Sequence, residues 1–238
     1  AVGNKAPKKK ELQSYFRPAD VMVGADGAIY VADWIDTRVG GHNTFDKNAT
    51  GAIYRIAPKG FKAKRTSMDL STTKGQIAAL SSPANNIRYS GFHALKAGGA
   101  KSLPAVKALL QHKNKFIAAR AIWLLPHLGT EGKQLCESLL KDSNWEHRLV
   151  AYRALRRAAP DMTRYAKLLA NDPTAAVRRD VALSFRGKKP TPEIIDIFIT
   201  IAKGYDGKDK NYVEAIGLGI EHYEDDLWLA LRSALQMQ

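Results

Sequence analysis

The sequence repeats with a period of 30 residues over four consecutive units. Residues spaced 30 positions apart form columns, of which two are apolar and a third is basic except in one unit. The columns are Leu95, Leu125, Leu155 and Phe185; Leu109, Leu139, Leu169 and Ile199; and Arg88, Ala118, Arg148 and Arg178. A period of this length is typical of stacked supersecondary units, in which each unit buries its apolar face only against its neighbours. The repeat therefore predicts a solenoid rather than a globule with a single core.

Glycine, proline and aspartate residues divide the repeated part into pairs of helices. The predicted pairs are 84–97 with 103–112, 115–128 with 131–141, 144–158 with 161–171, 174–187 with 191–203, and 209–221 with 224–236. A short helix ending at Leu80 is expected before them, capped by Ser71 or Thr72. The same period relates two pairs of charged residues, Asp142 with Arg148 and Asp172 with Arg178. They predict a ladder in which an inter-helix aspartate caps one helix and contacts the arginine of the next unit.

The first 58 residues do not follow the period and are predicted to form strands. The Asp26-Gly27 pair lies between two apolar runs, residues 17–24 and 28–34, which is a strong signal for a β-hairpin. A third β-prone run, residues 51–56, follows a polar loop. We expect an antiparallel meander of the size of one propeller blade, which needs neighbours to cover its faces. A polar linker, residues 59–70, is predicted between this meander and the helical repeats of 71–238.

The composition limits the kinds of protein this chain can be. The net charge is +14, with 45% hydrophobic and 25% charged residues, which fits a chain with a sizeable core. No apolar run is long enough to cross a bilayer, and the N-terminus lacks the apolar segment of a signal peptide. The single cysteine, Cys136, excludes a CxxCH haem attachment within the chain and is expected to be a buried free thiol. None of the six histidines pairs with another at metal-ligand spacing, so no site made of histidine pairs is predicted.

Most of the chain resembles one family. FRPADVMVGADGAIYVADWIDTRVGGH followed by GAIYRIAP is similar to the last propeller blade of large bacterial proteins of the membrane-bound-dehydrogenase and PVC-type haem-binding class. DLSTTKGQIAALSSPANNIR and YDGKDKNYVEAIGLG resemble the junction and the later HEAT-like repeats of that class. The resemblance implies a mainly α fold, a HEAT-like α-solenoid of about five helix pairs after one small antiparallel blade. Further blades upstream and a c-type cytochrome domain downstream would complete such a protein.

The resemblance implies a function for a parent protein rather than for this chain. Propellers of the family are similar to pyrroloquinoline-quinone sugar dehydrogenases, and the cytochrome domain carries haem c. This chain would be the non-catalytic scaffold of an exported, periplasmic or extracellular, dehydrogenase-like protein, with the propeller and cytochrome domains as partners. It would hold no cofactor itself, whereas the parent would bind haem c and pyrroloquinoline quinone or calcium. Without the resemblance, a cytoplasmic protein is expected.

Seven polar or aromatic residues of the blade form a candidate site at the mouth of a propeller channel. They are Arg17, Asp20, Asp33, Trp34, Asp36, Arg38 and His42. Asp33 and Asp36 offer oxygen atoms suited to calcium or a sugar, and His42 is suited to act as a base or ligand. The alternative is structural: Asp33-Trp34 ends a strand, and Arg17 pairs with Asp20 or Asp33.

Four arginines on one predicted helix form a second candidate site, for an acidic partner. They are Arg148, Arg153, Arg156 and Arg157, and the alternative is a solvated outer face. They also support an alternative function, a stand-alone HEAT-like protein that binds an acidic protein or nucleic acid, including a HEAT-like DNA glycosylase. A glycosylase needs stacking aromatics and a catalytic carboxylate in one cleft. Trp123, Trp145 and Trp228 do not occupy equivalent repeat positions, so the sequence indicates no such cleft.

The purified chain is expected to show no Soret absorbance and no dye-linked sugar oxidation with added pyrroloquinoline quinone. The reason is that it has no CxxCH motif, and one blade lacks the residues that the other blades contribute to a quinone site. Absorbance spectroscopy and a dye-reduction assay measure the two properties. Covalent haem or sugar oxidation in this chain alone would identify it as a complete enzyme.

Overall fold

The computed structural model of the protein describes residues 16–34, 51–63, 68–159 and 161–234. The chain forms two compact units, residues 1–94 and 95–238, whose boundary lies later than the predicted linker. The fold is mainly helical, with a small three-stranded antiparallel sheet before the helices, as the sequence predicts. No described helix has the length and apolar character needed to cross a membrane.

The sheet in the first unit is the predicted meander. Its strands are β1 (Pro18–Val23), β2 (Ile29–Asp33) and β3 (Ala52–Ile56), paired antiparallel in the order β1-β2-β3. Gly27, at the tip of the hairpin, has a φ of 84°. Glycine adopts this left-handed conformation without the steric cost that a Cβ would add. The Asp-Gly signal therefore predicted both the hairpin and its place in the chain.

Two helices begin in the first unit. Helix α1 (Thr73–Leu80) starts at the predicted cap, where the Thr72 hydroxyl accepts a hydrogen bond from the N–H of Gly75 at 3.2 Å. It ends before the predicted break at Ser82-Pro83. Helix α2 (Asn85–Gly98) follows and runs through the boundary between the units.

The second unit continues with helices that pack on their nearest neighbours. They are α3 (Leu103–Ala108), α4 (Lys115–Leu124), α5 (Gly129–Ser138), α6 (Trp145–Ala158), α7 (Thr163–Leu169), α8 (Ala175–Leu183), α9 (Pro192–Lys203), α10 (Lys210–Gly219) and α11 (Glu224–Ala234). The first helices of successive pairs contact one another in order: α4 with α6, α6 with α8, and α8 with α10. The second helices do the same from α7 to α9 and from α9 to α11. This nearest-neighbour pattern is that of a helical repeat.

The main apolar column of the 30-residue period is buried. Leu95, Leu125 and Leu155 are 0% exposed and Phe185 is 1% exposed. In the second column Leu169 is buried, whereas the other three members are half-buried. The register predicted from the sequence is therefore confirmed for the column that forms the core.

Four turns that precede the first helix of a pair each contain the same type of hydrogen bond. In each, a side chain accepts from the backbone N–H two residues later, at 2.8–3.2 Å. The pairs are Ser82 with Ala84, His112 with Asn114, Asp142 with Asn144, and Asp172 with Thr174. The side chains of Asn114 and Asn144 then cap α4 and α6. Short polar side chains that mimic a turn hydrogen bond thus set the start of each repeat.

Leu155→Ala is expected to lower the free energy of unfolding by about 2–5 kcal/mol, because it leaves a cavity at a fully buried position. Urea denaturation of the two proteins measures the difference. Leu168→Ala is the matched control, since Leu168 is 47% exposed on α7, and it should change stability by less than about 1 kcal/mol. Equal losses in the two variants would contradict the register.

Candidate functional site

Four of the seven blade candidates, Arg17, Asp20, Asp33 and Trp34, lie in the described part of the chain. Asp36, Arg38 and His42 lie outside the described residues. Asp20 is exposed and accepts a hydrogen bond from the N–H of Val21 at 2.8 Å. The side chain of Trp34 is 59% exposed.

Asp33 and Arg17 join β1 and β2 at the open end of the hairpin. The backbone N–H of Arg17 donates to Asp33 Oδ1 at 2.8 Å, and the N–H of Trp34 donates to the Arg17 carbonyl at 2.9 Å. The Arg17 guanidinium points elsewhere and donates to the carbonyl of Phe16 at 3.2 Å. Asp33 is only 5% exposed. These contacts favour the structural interpretation of Asp33, which pairs with the backbone of Arg17 rather than with its side chain.

The sheet contains a polar cluster that the sequence did not reveal. For Asp26 the sequence predicts only a turn, yet its Oδ2 accepts hydrogen bonds from Arg55 Nε at 2.9 Å, from Arg55 Nη2 at 2.8 Å and from Tyr30 Oη at 3.1 Å. The Arg55 guanidinium holds the pKa of the Asp26 carboxyl below its usual value. Arg55 and Tyr30 face each other across β3 and β2. The cluster therefore ties the tip of the hairpin to the third strand.

Apolar side chains are exposed on both faces of the sheet. Successive residues of a strand point to opposite faces, and the strand register places Val21 with Ile56 on one face and Met22 with Ile53 on the other. Their exposed fractions are 66%, 54%, 43% and 76%, in that order. Clustered exposed apolar side chains of this kind mark an interaction surface.

Arg148, the first of the four candidate arginines, is committed to contacts between repeats. It is 8% exposed. Its Nε and Nη2 donate to the two carboxylate oxygens of Asp172 at 2.6 and 2.8 Å. Its Nη1 donates to the carbonyls of Asp142 and Ser143 at 2.8 and 3.2 Å. Arg148 thus links the turn before its own helix to the turn before α8, and an acidic partner cannot reach it.

The predicted ladder of aspartates and arginines exists, but its direction was predicted wrongly. The carboxylate of Asp172 binds Arg148 of the preceding unit instead of Arg178 of the following one. Arg178 contacts Asp172 only through the backbone carbonyl, and Arg88 likewise contacts the carbonyls of its own turn, at Ser82 and Pro83. The reason is that helical side chains tilt toward the N-terminus. Each of these arginines therefore covers the turn before its own helix, and Arg148 and Arg178 also reach forward with their remaining N–H groups.

Two further arginines of α6 meet Asp180 of α8, which the sequence did not single out. Arg153 donates through Nε at 2.7 Å and through Nη2 to Asp180 Oδ2, and Arg156 Nη1 lies 3.7 Å from Oδ1. Asp180 is 7% exposed, and its Oδ1 makes no hydrogen bond. Arg157 is exposed and lies over the ring of Trp123, 5.4 Å from its centre. Three of the four arginines thus pair with aspartates of the next unit, whereas Arg153 and Arg157 remain exposed on α6.

No nucleophile or metal site stands out among the described residues. Cys136 is 0% exposed, and burial raises the pKa of its thiol to about 12, so it stays protonated at neutral pH. The described part of the chain contains no group of three or more His, Cys, Asp or Glu side chains placed to hold a metal ion. The described part of the chain offers exposed apolar side chains at the sheet and ion pairs within the repeats.

No protein-family model matches the chain, and no curated protein matches it. The likeness to the propeller-containing class therefore depends on the quoted sequence segments alone.

Asp172→Ala is expected to lower the free energy of unfolding by about 3–5 kcal/mol, because it leaves the guanidinium of Arg148 buried without its carboxylate. Urea denaturation measures the effect, and replacing both partners, by Arg148→Met with Asp172→Leu, should recover much of it. Glu214→Ala is the control, since the Lys210–Glu214 pair is exposed and 3.7 Å long, and should cost less than about 1 kcal/mol. A loss at Asp172 no larger than at Glu214 would show that the buried pair has no structural role.

Proposed function

We propose that this chain is the non-catalytic scaffold and interaction portion of a larger, exported, dehydrogenase-like protein linked to a c-type cytochrome. The observation that carries the proposal is the open sheet, whose apolar side chains are exposed on both faces. Three short strands are marginal alone and are stabilised when other sheets cover them, as in a propeller. The segment that forms this sheet is also the one that most closely resembles the last blade of the family.

The helical repeats suit the role of a spacer. From α4 onward each first helix contacts the next, and ion pairs join successive units, among them Arg148–Asp172, Arg153–Asp180 and Arg179–Asp209. Contacts of this kind oppose sliding and bending between neighbouring repeats. In the parent protein the propeller would oxidise a small organic substrate, the cytochrome domain would take the electrons, and the repeats would set the distance between them.

The described residues do not fit the cofactors of the parent protein. Asp33, the described candidate for calcium, is buried and accepts a hydrogen bond from the backbone of Arg17. A pyrroloquinoline-quinone site needs side chains from several blades, and haem c needs a CxxCH motif, which the sequence lacks. No step of the parent's chemistry is therefore assigned to a residue of this chain.

A second candidate, a stand-alone protein for an acidic partner or nucleic acid, is favoured only by the net charge of +14. Arg148 and Arg153 of the candidate basic cluster are paired with aspartates, and Arg148 is buried. An acidic partner would meet Arg157, the paired but exposed Arg153, and exposed lysines elsewhere on the chain. Such scattered charge supports weak, salt-sensitive binding rather than specific recognition.

The gene's reading frame is expected to continue upstream of Ala1 through further blade sequences and downstream of Gln238 to a CxxCH motif. Sequencing the genomic region on both sides tests this directly. A start codon immediately before Ala1 together with a stop codon after Gln238 would overturn the proposal.

In the full-length protein, Ile53→Lys is expected to lower the melting temperature and the dye-linked oxidation rate, since it puts a charge where a neighbouring sheet would pack. Gln134→Lys, on the exposed face of α5, adds the same charge away from the sheet and should leave both properties unchanged. Equal behaviour of the two variants would show that the sheet is not a docking surface.

A further inference from the structure

A cavity in the second unit lies close to the point where the arginine column is interrupted. The column has Ala118 on α4 where the neighbouring units have arginine. The cavity has a volume of about 260 Å³, and its lining includes Gln111, Ile122, Asp142 and His147. It is bordered by Asp142, in the turn before α6, and by Gln111, in the chain ahead of α4. By analogy with Arg148, an arginine at position 118 would extend toward this region.

The next unit shows what fills the equivalent space. The residues 30 positions after Ala118, Ile122 and Leu135 are Arg148, Tyr152 and Tyr165, respectively. These larger side chains are 8%, 0% and 4% exposed. Ile122 and Leu135 line the cavity, and Ala118 lies one helical turn before Ile122. Two lining positions therefore carry smaller side chains than their counterparts, and Ala118, one turn away, is smaller than Arg148.

The counterpart unit also shows which polar groups hold the guanidinium. Arg148 lies between two turns and binds two carbonyls of the first and the carboxylate of Asp172 in the second. Thirty residues earlier, the corresponding groups are the carbonyls of His112 and Lys113 and the carboxylate of Asp142, and of these residues Asp142 lines the cavity. Asp142 Oδ1 accepts from the N–H of Asn144 at 2.8 Å. Among the described residues its single ion-pair partner is His147, whose Nδ1 lies 3.4 Å from Oδ2.

We propose that this cavity binds a guanidinium group, either an arginine side chain of a peptide or a small guanidinium compound. The Asp142 carboxylate takes the place that Asp172 has for Arg148, and the leucine and isoleucine side chains of the lining contact the alkyl part of the ligand. The other charged or titratable groups of the lining are His147 and Lys107. Lys107 carries a positive charge that opposes the binding of a cation, so Lys107→Met, which removes this charge, should strengthen guanidinium binding. The proposal does not depend on the function proposed above.

Calorimetric titration of the folded chain with methylguanidinium chloride tests the proposal. Saturable binding is expected, and methylammonium should bind more weakly because it lacks the planar fork of donors. Asp142→Asn keeps the turn hydrogen bond but removes the charge, and should weaken binding by about tenfold or more. Asp161→Asn is the control, since Asp161 caps the N–H of Thr163 in the same way at 2.9 Å and does not line the cavity. Absent binding, or equal binding by the Asp142 variant, would overturn the proposal.

Ala118→Arg supplies the guanidinium from the chain itself and gives a second test. It should raise the melting temperature and abolish methylguanidinium binding. Retained binding in a folded Ala118→Arg protein would place the ligand elsewhere and overturn the proposal; if the variant does not fold, the Asp142 comparison decides. Tighter binding of N-acetylarginine amide than of methylguanidinium would support a peptide arginine as the ligand, and the reverse order would support a small guanidinium compound.

Discussion

Contact between neighbouring repeats is the constraint on which the second unit depends. Leu125, Leu155 and Phe185, one from each of three successive repeats, are buried. In a stacked repeat such residues are enclosed by the neighbouring units as well as by their own two helices. Arg148 adds a polar contact to the same interface, with its guanidinium bound to one turn and to the carboxylate of the next. Since a buried guanidinium without its carboxylate is costly, the two turns must keep their spacing.

This constraint explains why much of the positive charge of the arginine-rich helix α6 is paired with aspartates of the next unit. The residues that stand out in the sequence as a basic patch carry much of the interface. Arg148 pairs with Asp172, and Arg153 pairs with Asp180, both across the step from α6 to the next unit. The same contact between turns also shows what is missing where the arginine column is interrupted. Where Ala118 replaces the arginine, the aspartate of the next turn remains, and a cavity lies beside it.

The sheet of the first unit shows the opposite situation. Backbone hydrogen bonds join its three strands, and Asp26 in the hairpin turn pairs with Arg55. Several of its apolar side chains are nevertheless exposed. Val21 and Ile53, on opposite faces, are 66% and 76% exposed. A propeller blade has this character because each blade is covered by the blades on either side. The repeats thus complete their own core, whereas the sheet has surfaces suited to a partner.

The sequence by itself determined the features that depend on local patterns. The 30-residue period located the buried column, the Asp26-Gly27 pair located the hairpin, and Thr72 was recognisable as a cap, because turns, caps and amphipathic faces involve residues only a few positions apart. Only the tertiary structure decided which side chains meet across repeats and strands. The direction of the arginine ladder, the Asp26–Arg55 pair, the role of Asp180 and the cavity beside Asp142 all join residues more than twenty positions apart. Their contacts depend on how each helix is rotated against the next and on how far each side chain tilts, and no spacing in the sequence encodes either quantity.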